Sequence, residues 1–467
     1  MPCARAHEST EQIVKSPDQR AARKQQSTIL WVVAIAALAL VFDGYDLVVY
    51  GTVVSTLLGD PTQLGEIGPA TAGVLGSWAL LGVMVGALAT GAIGDYLGRR
   101  KIMITGITWF SLGMGLTALA PNVMAFGALR FATGLGVGAL VATAGAIVAE
   151  FAPQGRRNYY NAIVYSGVPV GGVLASLLAI VLLDAVGWRG LFLIGATPIL
   201  FLLPMALAKL PESPEWLMAR GRTEDAWRVS IRAGVPVPVP EAAAATAKAP
   251  VSASSGAKIG FRALATRKYA LPTILLGLMS FAGLMLTYGL NTWFPQIMSQ
   301  FGYGKSYSLA FLLVLNAGAV FGGLVASVGA DRIGAKRVVA TTFFLAAVAM
   351  ALLTMQLPLG ILLGLVAVAG VGTIGTQVLI YGFVSNYYNS AARGAGVAWC
   401  AGFGRLGGIF GPLIGGLLMA AGVQNHIAFY VFAAVAIVGA LVTAFVPLHH
   451  SETKRPAAPA AVAAASR

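Results

Sequence analysis

Gly91-Ala92-Ile93-Gly94-Asp95-Tyr96-Leu97-Gly98-Arg99-Arg100-Lys101 closes one long apolar run of this sequence, and Ser327-Val328-Gly329-Ala330-Asp331-Arg332-Ile333-Gly334-Ala335-Lys336-Arg337 closes another. The two stretches share an aspartate, a glycine three residues later and a basic end. Each follows the second apolar run of its half, so the chain reads as two copies of one unit. Runs of about twenty apolar residues, enough to cross about 30 Å of hydrocarbon, recur from end to end. Twelve are counted, at 29–56, 70–94, 102–120, 122–149, 160–183, 189–209, 270–298, 306–330, 337–356, 358–384, 395–421 and 426–447. The expected fold is all-α and membrane-embedded, with twelve transmembrane helices in two pseudo-symmetric six-helix bundles. Duplicated units of this kind build secondary transporters, with the substrate site near the midplane between the halves.

Composition agrees: 57% of the 467 residues are hydrophobic and 10% are charged, yet the net charge is +14. Where the basic residues fall decides what that charge means. Arg5, Lys15, Arg20, Arg23 and Lys24 precede the first run; Arg99, Arg100 and Lys101 follow the second, and Arg156 and Arg157 the fourth. A cluster separates the sixth run from the seventh, Arg332, Lys336 and Arg337 follow the eighth, and Arg393 the tenth. If spans alternate, all of these lie on one side, and the opposite loops keep Arg189 and Lys305. This is the positive-inside pattern, which predicts a multi-pass membrane protein with both termini cytoplasmic; the membrane expected is the bacterial inner one. Basicity is thereby topology, and no nucleic-acid partner is expected.

The organisation expected is a cytoplasmic tail 1–28, a first bundle 29–209, a cytoplasmic linker 210–269, a second bundle 270–448 and a tail 449–467. The polar start does not match a cleavable signal peptide. In the linker, Ser213 before Pro214 and Glu215 reads as a helix N-cap, and Thr223-Glu224-Asp225 opens a second short helix in the same way. Pro236 to Gly256 reads as a flexible segment. Cys3 and Cys400 offer no metal-ligand spacing and no expected disulfide, and no metal or cofactor is expected. Gly134-Leu135-Gly136-Val137-Gly138 and Gly407-Gly408-Ile409-Phe410-Gly411-Pro412 lie inside apolar runs with no preceding strand or phosphate-loop lysine. They are read as close helix packing rather than nucleotide loops.

The pattern met by Gly91, Asp95, Gly98, Arg99 and Arg100 resembles the loop signature of the major facilitator superfamily. The second copy is degenerate, with Ser327 for the first glycine and Ala335 for the first basic residue. Arg130-Phe131-Ala132-Thr133-Gly134-Leu135-Gly136, Glu150-Phe151-Ala152-Pro153 with Arg156 and Arg157, and Pro211 to Leu217 extend the match across the first half and into the linker. Asp43-Gly44-Tyr45-Asp46 and Asn291-Thr292-Trp293-Phe294-Pro295 resemble the aromatic acid:proton symporters within it. The resemblance implies hydroxylated benzoates as the substrate class.

Four charged residues stand clearly within the spans: Asp43, Asp46, Arg130 and Arg405. A charge near the bilayer centre costs about 2.5 to 3.5 kcal/mol on insertion scales, so each marks a functional candidate. At 1.5 Å per residue, the two aspartates lie roughly 20 to 25 Å from the start of span one and Arg130 roughly 12 Å below the outer face. The three share a layer, and residues i and i+3 share a helix face. Burial makes a carboxyl group hold its proton and a neighbouring guanidinium makes it yield one, so an arginine alternating between aspartate and substrate couples the two. The alternative is a permanent bridge between spans one and four. Either acid can be the carrier, and Asp46 is favoured over Asp43.

Arg405, whose guanidinium holds a carboxylate through two parallel bonds, is the candidate anion ligand, with Arg130 its rival. The alternative for Arg405 is a structural bond to backbone carbonyls. Tyr288, Asn291, Trp293, Asn316, Gln377 and Tyr381 are further candidates for an aromatic ligand. Tyr288 and Trp293 equally suit the interfacial aromatic belt. Gly91, Asp95, Gly98, Arg99, Arg100, Glu150, Arg156, Asp331, Arg332 and Arg393 read as a cytoplasmic latch between the halves, or as solvated topogenic charges.

The function expected is proton-driven import of an aromatic carboxylate by a monomer; the alternative is a proton symporter for a sugar or dicarboxylate. No catalytic constellation supports an enzyme.

Overall fold

The computed structural model describes residues 17–153, 156–237, 264–267, 269–355, 357–388 and 390–447. The first bundle comprises α1 (Pro17–Gly59), α2 (Pro69–Leu97), α3 (Arg99–Ala118), α4 (Val123–Phe151), α5 (Arg157–Tyr165), α6 (Gly167–Gly195) and α7 (Pro198–Lys209). Two short helices follow, α8 (Pro214–Ala219) and α9 (Thr223–Ala233). The second bundle comprises α10 (Ala270–Gln300), α11 (Lys305–Ile333), α12 (Ala335–Leu352), α13 (Leu359–Gly370), a π-helical turn (Val371–Gly375), α14 (Thr376–Tyr387), α15 (Ser390–Ala420) and α16 (Asn425–Phe445).

Among the described residues, ten helical stretches are long and apolar enough to cross a membrane. One of these, Tyr159–Lys209, has 51 residues, too many for one crossing. Gly187, at φ 66° and ψ −178°, breaks it into spans five and six. The remaining span is α3, whose basic first turn and interspersed Thr and Gly make it less apolar. The twelve spans are thus accounted for. Leu88, Val181, Leu200, Phe321, Val325 and Phe445 point outward and exposed, as lipid-facing residues do.

Helix α1 begins at Pro17 rather than near residue 29, because Ala, Arg, Lys and Gln carry the helix past the apolar boundary. Asn122 caps α4 by accepting from the Ala125 amide at 2.9 Å, and Ser213 caps α8 through the Trp216 amide at 3.0 Å. For α9 the expected cap is corrected. Thr223 is already helical, and Arg222 before it donates Nε to Asp225 at 2.8 Å. The segment Pro236 to Gly256 lies outside the described residues from 238 onward, as do residues 1–16 and 448–467.

The repeat is visible in the backbone. Gly98 and Gly334 join the second and third helices of their halves with φ of 90° and 96°, where a side chain is strained. Each donates its amide to the carbonyl four residues back, Gly94 and Ala330. Packing repeats as well: α1 on α6 matches α10 on α15, α2 on α4 matches α11 on α13, and α2 on α15 matches α11 on α6.

The halves touch near the end where α2 begins. A Cβ on Gly51 would overlap the Asn291 carbonyl, and one on Gly172 the Asn316 side chain. Gly73 lies against Pro412 and Gly416, and Ser77 donates to the Ile409 carbonyl at 2.6 Å. Lys305 is ion-paired with Asp184.

Candidate functional site

Helix α1 is held in one rotation. Gly44 lies so close to α6 that a Cβ there would overlap the Val168 carbonyl. On other faces, Tyr45 donates to the Leu191 carbonyl at 2.8 Å and Tyr50 to the Ala72 carbonyl at 2.6 Å. That rotation presents Asp46 to α4, where it is ion-paired and hydrogen-bonded to Arg130 Nη1. Both are 1% exposed, and the guanidinium sits 5.3 Å from the Tyr50 ring and 5.7 Å from the Phe192 ring. Asp46 and Arg130 both belong to the first bundle, so the pair travels with it.

Asp43, one turn earlier and 5% exposed, makes neither a hydrogen bond nor an ion pair among the described residues. Its strongest charged neighbour is Arg405 of α15. Arg405 is half-buried in mid-span, so part of its side chain stands clear of the packed core. Around it, within electrostatic reach, stand the hydroxyls of Tyr288 on α10, Tyr381 on α14 and Tyr165 on α5. The constellation straddles the halves, with Asp43 and Tyr165 from the first and Arg405, Tyr288 and Tyr381 from the second. Glycines of α15 make it possible: Gly404 faces Ser280, Gly407 the Phe281 backbone and Gly408 the Tyr288 ring. They bring α15 against α10, which is the packing role read from the sequence.

The profile of the family described as sugar (and other) transporter matches residues 32–455 of this sequence. The chain belongs to this transporter family. Among its relatives, the gentisate transporter of Corynebacterium glutamicum is 34% identical over 415 residues, 88% of this chain and 86% of that protein. The benzoate transport protein of Acinetobacter baylyi is 32% identical over 419 residues, 89% and 88% of the two chains. The fold matches the inward open conformation of the xylose transporter XylE from E. coli with a TM-score of 0.71 at 18% identity, covering 91% of this chain and 98% of that one. A transporter family, and no enzyme family, is what the profile describes.

Within this transporter the remaining candidates separate. Asn316 Nδ2 donates to Asn291 Oδ1 at 2.9 Å and to the Leu312 carbonyl at 3.0 Å, and Asn291 Nδ2 donates to the Thr287 carbonyl at 2.7 Å. This amide pair lies at the seam with Gly51 and Gly172. Trp293 is fully buried, its Nε1 donates to the Pro412 carbonyl at 2.8 Å, and Gly415 lies under its ring. Its ring is packed against α15, which also holds its donor, so it belongs to the core between α10 and α15. Gln377 reaches Ser280 Oγ at 3.3 Å.

The latch residues also divide. Arg99 approaches Glu150 at 3.4 Å, and Arg100 donates Nε to the Leu210 carbonyl and Nη2 to the Leu207 carbonyl, both at 2.7 Å. Glu212 accepts from the Arg100 amide at 3.0 Å and crowds Gly98. Of these contacts, Arg99–Glu150 and Arg100–Leu207 lie within the first bundle, and those of Leu210 and Glu212 tie it to its own linker. Gly91, Arg156, Arg332 and Arg393 are exposed, and so is Asp331. The Asp95 side chain lies outside the described part of the structure. Tyr165 was not singled out from the sequence; a tyrosine in a run with Tyr159 and Tyr160 carries no mark of standing near Arg405.

Proposed function

We propose that this chain imports an aromatic carboxylate with protons by rocking its two bundles about the site between them. The observation that carries this reading is the half-buried Arg405 facing the unpaired Asp43 of the other half. A substrate carboxylate docks on Arg405, and its ring packs among Tyr165, Tyr288 and Tyr381. Docking removes the positive charge that Asp43 faces, so the aspartate takes up a proton as the anion arrives. Asp46 and Arg130 form the permanent bridge of the first bundle, and the proton role moves from Asp46 to Asp43.

The names of the gentisate and benzoate relatives support the substrate class. A neutral sugar gives the half-buried guanidinium of Arg405 no counter-charge, which speaks against the sugar alternative. Energetics favour symport, since moving an anion inward costs about 2.3 kcal/mol per charge per 100 mV of inside-negative potential. In this reading the chain is a monomer of the bacterial inner membrane with both termini cytoplasmic. The seam at the start of α2 is then the closed outer gate, and the Arg99 end is the inner side.

The test is uptake of labelled benzoates into proteoliposomes with and without an imposed pH gradient. Accumulation that collapses with a protonophore is expected. Failure to accumulate any aromatic acid, or accumulation indifferent to the protonophore, sinks the proposal.

A further inference from the structure

Gln377 is 6% exposed, and its Oε1 has no hydrogen-bond partner among the described residues. Its Nε2 is already engaged by Ser280 Oγ. Buried acceptors are rarely left open, because an unmet one forfeits its bond to water without replacement. The backbone before it is irregular too: the π-helical turn Val371–Gly375 interrupts span ten one residue ahead of α14. Such turns rotate the side chains that follow and recur at functional positions.

The open oxygen lies near Arg405, one side chain removed through Ser280. Tyr381, within reach of Arg405, stands four residues on and therefore on the same face of α14. Ser280 presses on Gly404, the neighbour of Arg405, and Gly283 leaves the space into which Gln377 Oε1 projects. An acceptor here cannot bind the substrate carboxylate, which itself only accepts when ionised, nor a ring edge. It suits an O–H donor on the ring.

We propose that Gln377 sets the substrate preference of this transporter, its Oε1 accepting a hydrogen bond from a ring hydroxyl while Arg405 holds the carboxylate. The inference rests on the reading of the chain as an aromatic-acid transporter and assigns one polar group of the ligand to one side chain. Benzoate leaves Oε1 unmet, and a hydroxybenzoate of the right geometry satisfies it.

In proteoliposomes carrying the wild-type chain, labelled benzoate uptake is competed with the three hydroxybenzoates and the three matching methoxybenzoates. At least one hydroxy isomer is expected to compete about tenfold better than benzoate and than its methoxy counterpart, which keeps the oxygen but lacks the donor. In Gln377→Met, of similar volume, that ratio is expected to fall to about one, whatever the level of benzoate uptake. Equal competition by hydroxy and methoxy isomers in the wild type overturns the proposal, as does a Gln377→Met ratio matching the wild type. The ratio is internal to each preparation and independent of how much protein inserts. If Gln377→Met does not insert, the same ratio is read in Gln377→Leu. Wild-type liposomes that take up no aromatic acid overturn the transport reading and this inference together, whereas uptake without hydroxyl preference overturns this inference only.

Discussion

At the scale of single residues, the two aspartates of α1 have different work, and their substitutions should separate accordingly. Asp46→Asn strands the buried Arg130 charge and should cost about 3 to 5 kcal/mol, read as a lowered melting temperature in detergent. Asp43→Asn removes an unpaired group and should melt near wild type, yet lose gradient-driven accumulation while retaining substrate exchange across the liposome membrane. A wild-type level of accumulation in Asp43→Asn removes it from coupling. Arg405→Lys should not restore binding, since a point charge cannot replace a two-pronged donor, and apparent substrate affinity should fall about tenfold or more. The four embedded charges were legible because each breaks an apolar run at a cost. Which acid meets Arg130 was not legible. That choice depends on the rotation of α1, fixed by the distant contact of Gly44 with Val168. Tyr165 escaped, and Trp293 was read as site or belt and not as core, for a similar reason, since an aromatic ring suits all three equally.

At the scale of elements, α15 supplies its own control. Gly407 meets the Phe281 backbone, so Gly407→Ala should force α15 off α10 and destabilise by about 1 to 3 kcal/mol with loss of transport. Gly402, on the same helix, has nothing within 4 Å of a Cβ, and Gly402→Ala should be neutral or stabilising by up to about 1 kcal/mol. Equal melting temperatures for the two variants contradict the packing role. Span number and order were readable from apolar runs, and the loop glycines from their repeat. The helical extension of α1 before the apolar boundary was not, because hydropathy records where lipid begins and not where backbone hydrogen bonding stops. Nor was the π-helical turn before Gln377, as a one-residue change in ladder leaves no sequence period.

At the scale of the molecule, duplication was legible but conformation was not, since both states of a rocking transporter share one sequence. The seam closed by Ser77, the Asn291–Asn316 pair and the Lys305–Asp184 pair defines a state with one end shut. Joining Asp184→Cys to Lys305→Cys with a short reducible cross-linker should hold that state and abolish uptake, and reduction should restore it. Uptake unaffected by the cross-link shows that this end need not open. The Asp46–Arg130 pair has an electrical consequence as well. Two opposite charges fixed in one rigid bundle sweep through the membrane field together, so their displacement currents cancel. Asp43 and Arg405 return to their starting places in each full cycle, so the steady current under voltage clamp is owed to cargo alone: none for one proton per monovalent anion, and an inward positive current for two. The sign of a single electrical trace therefore counts the protons.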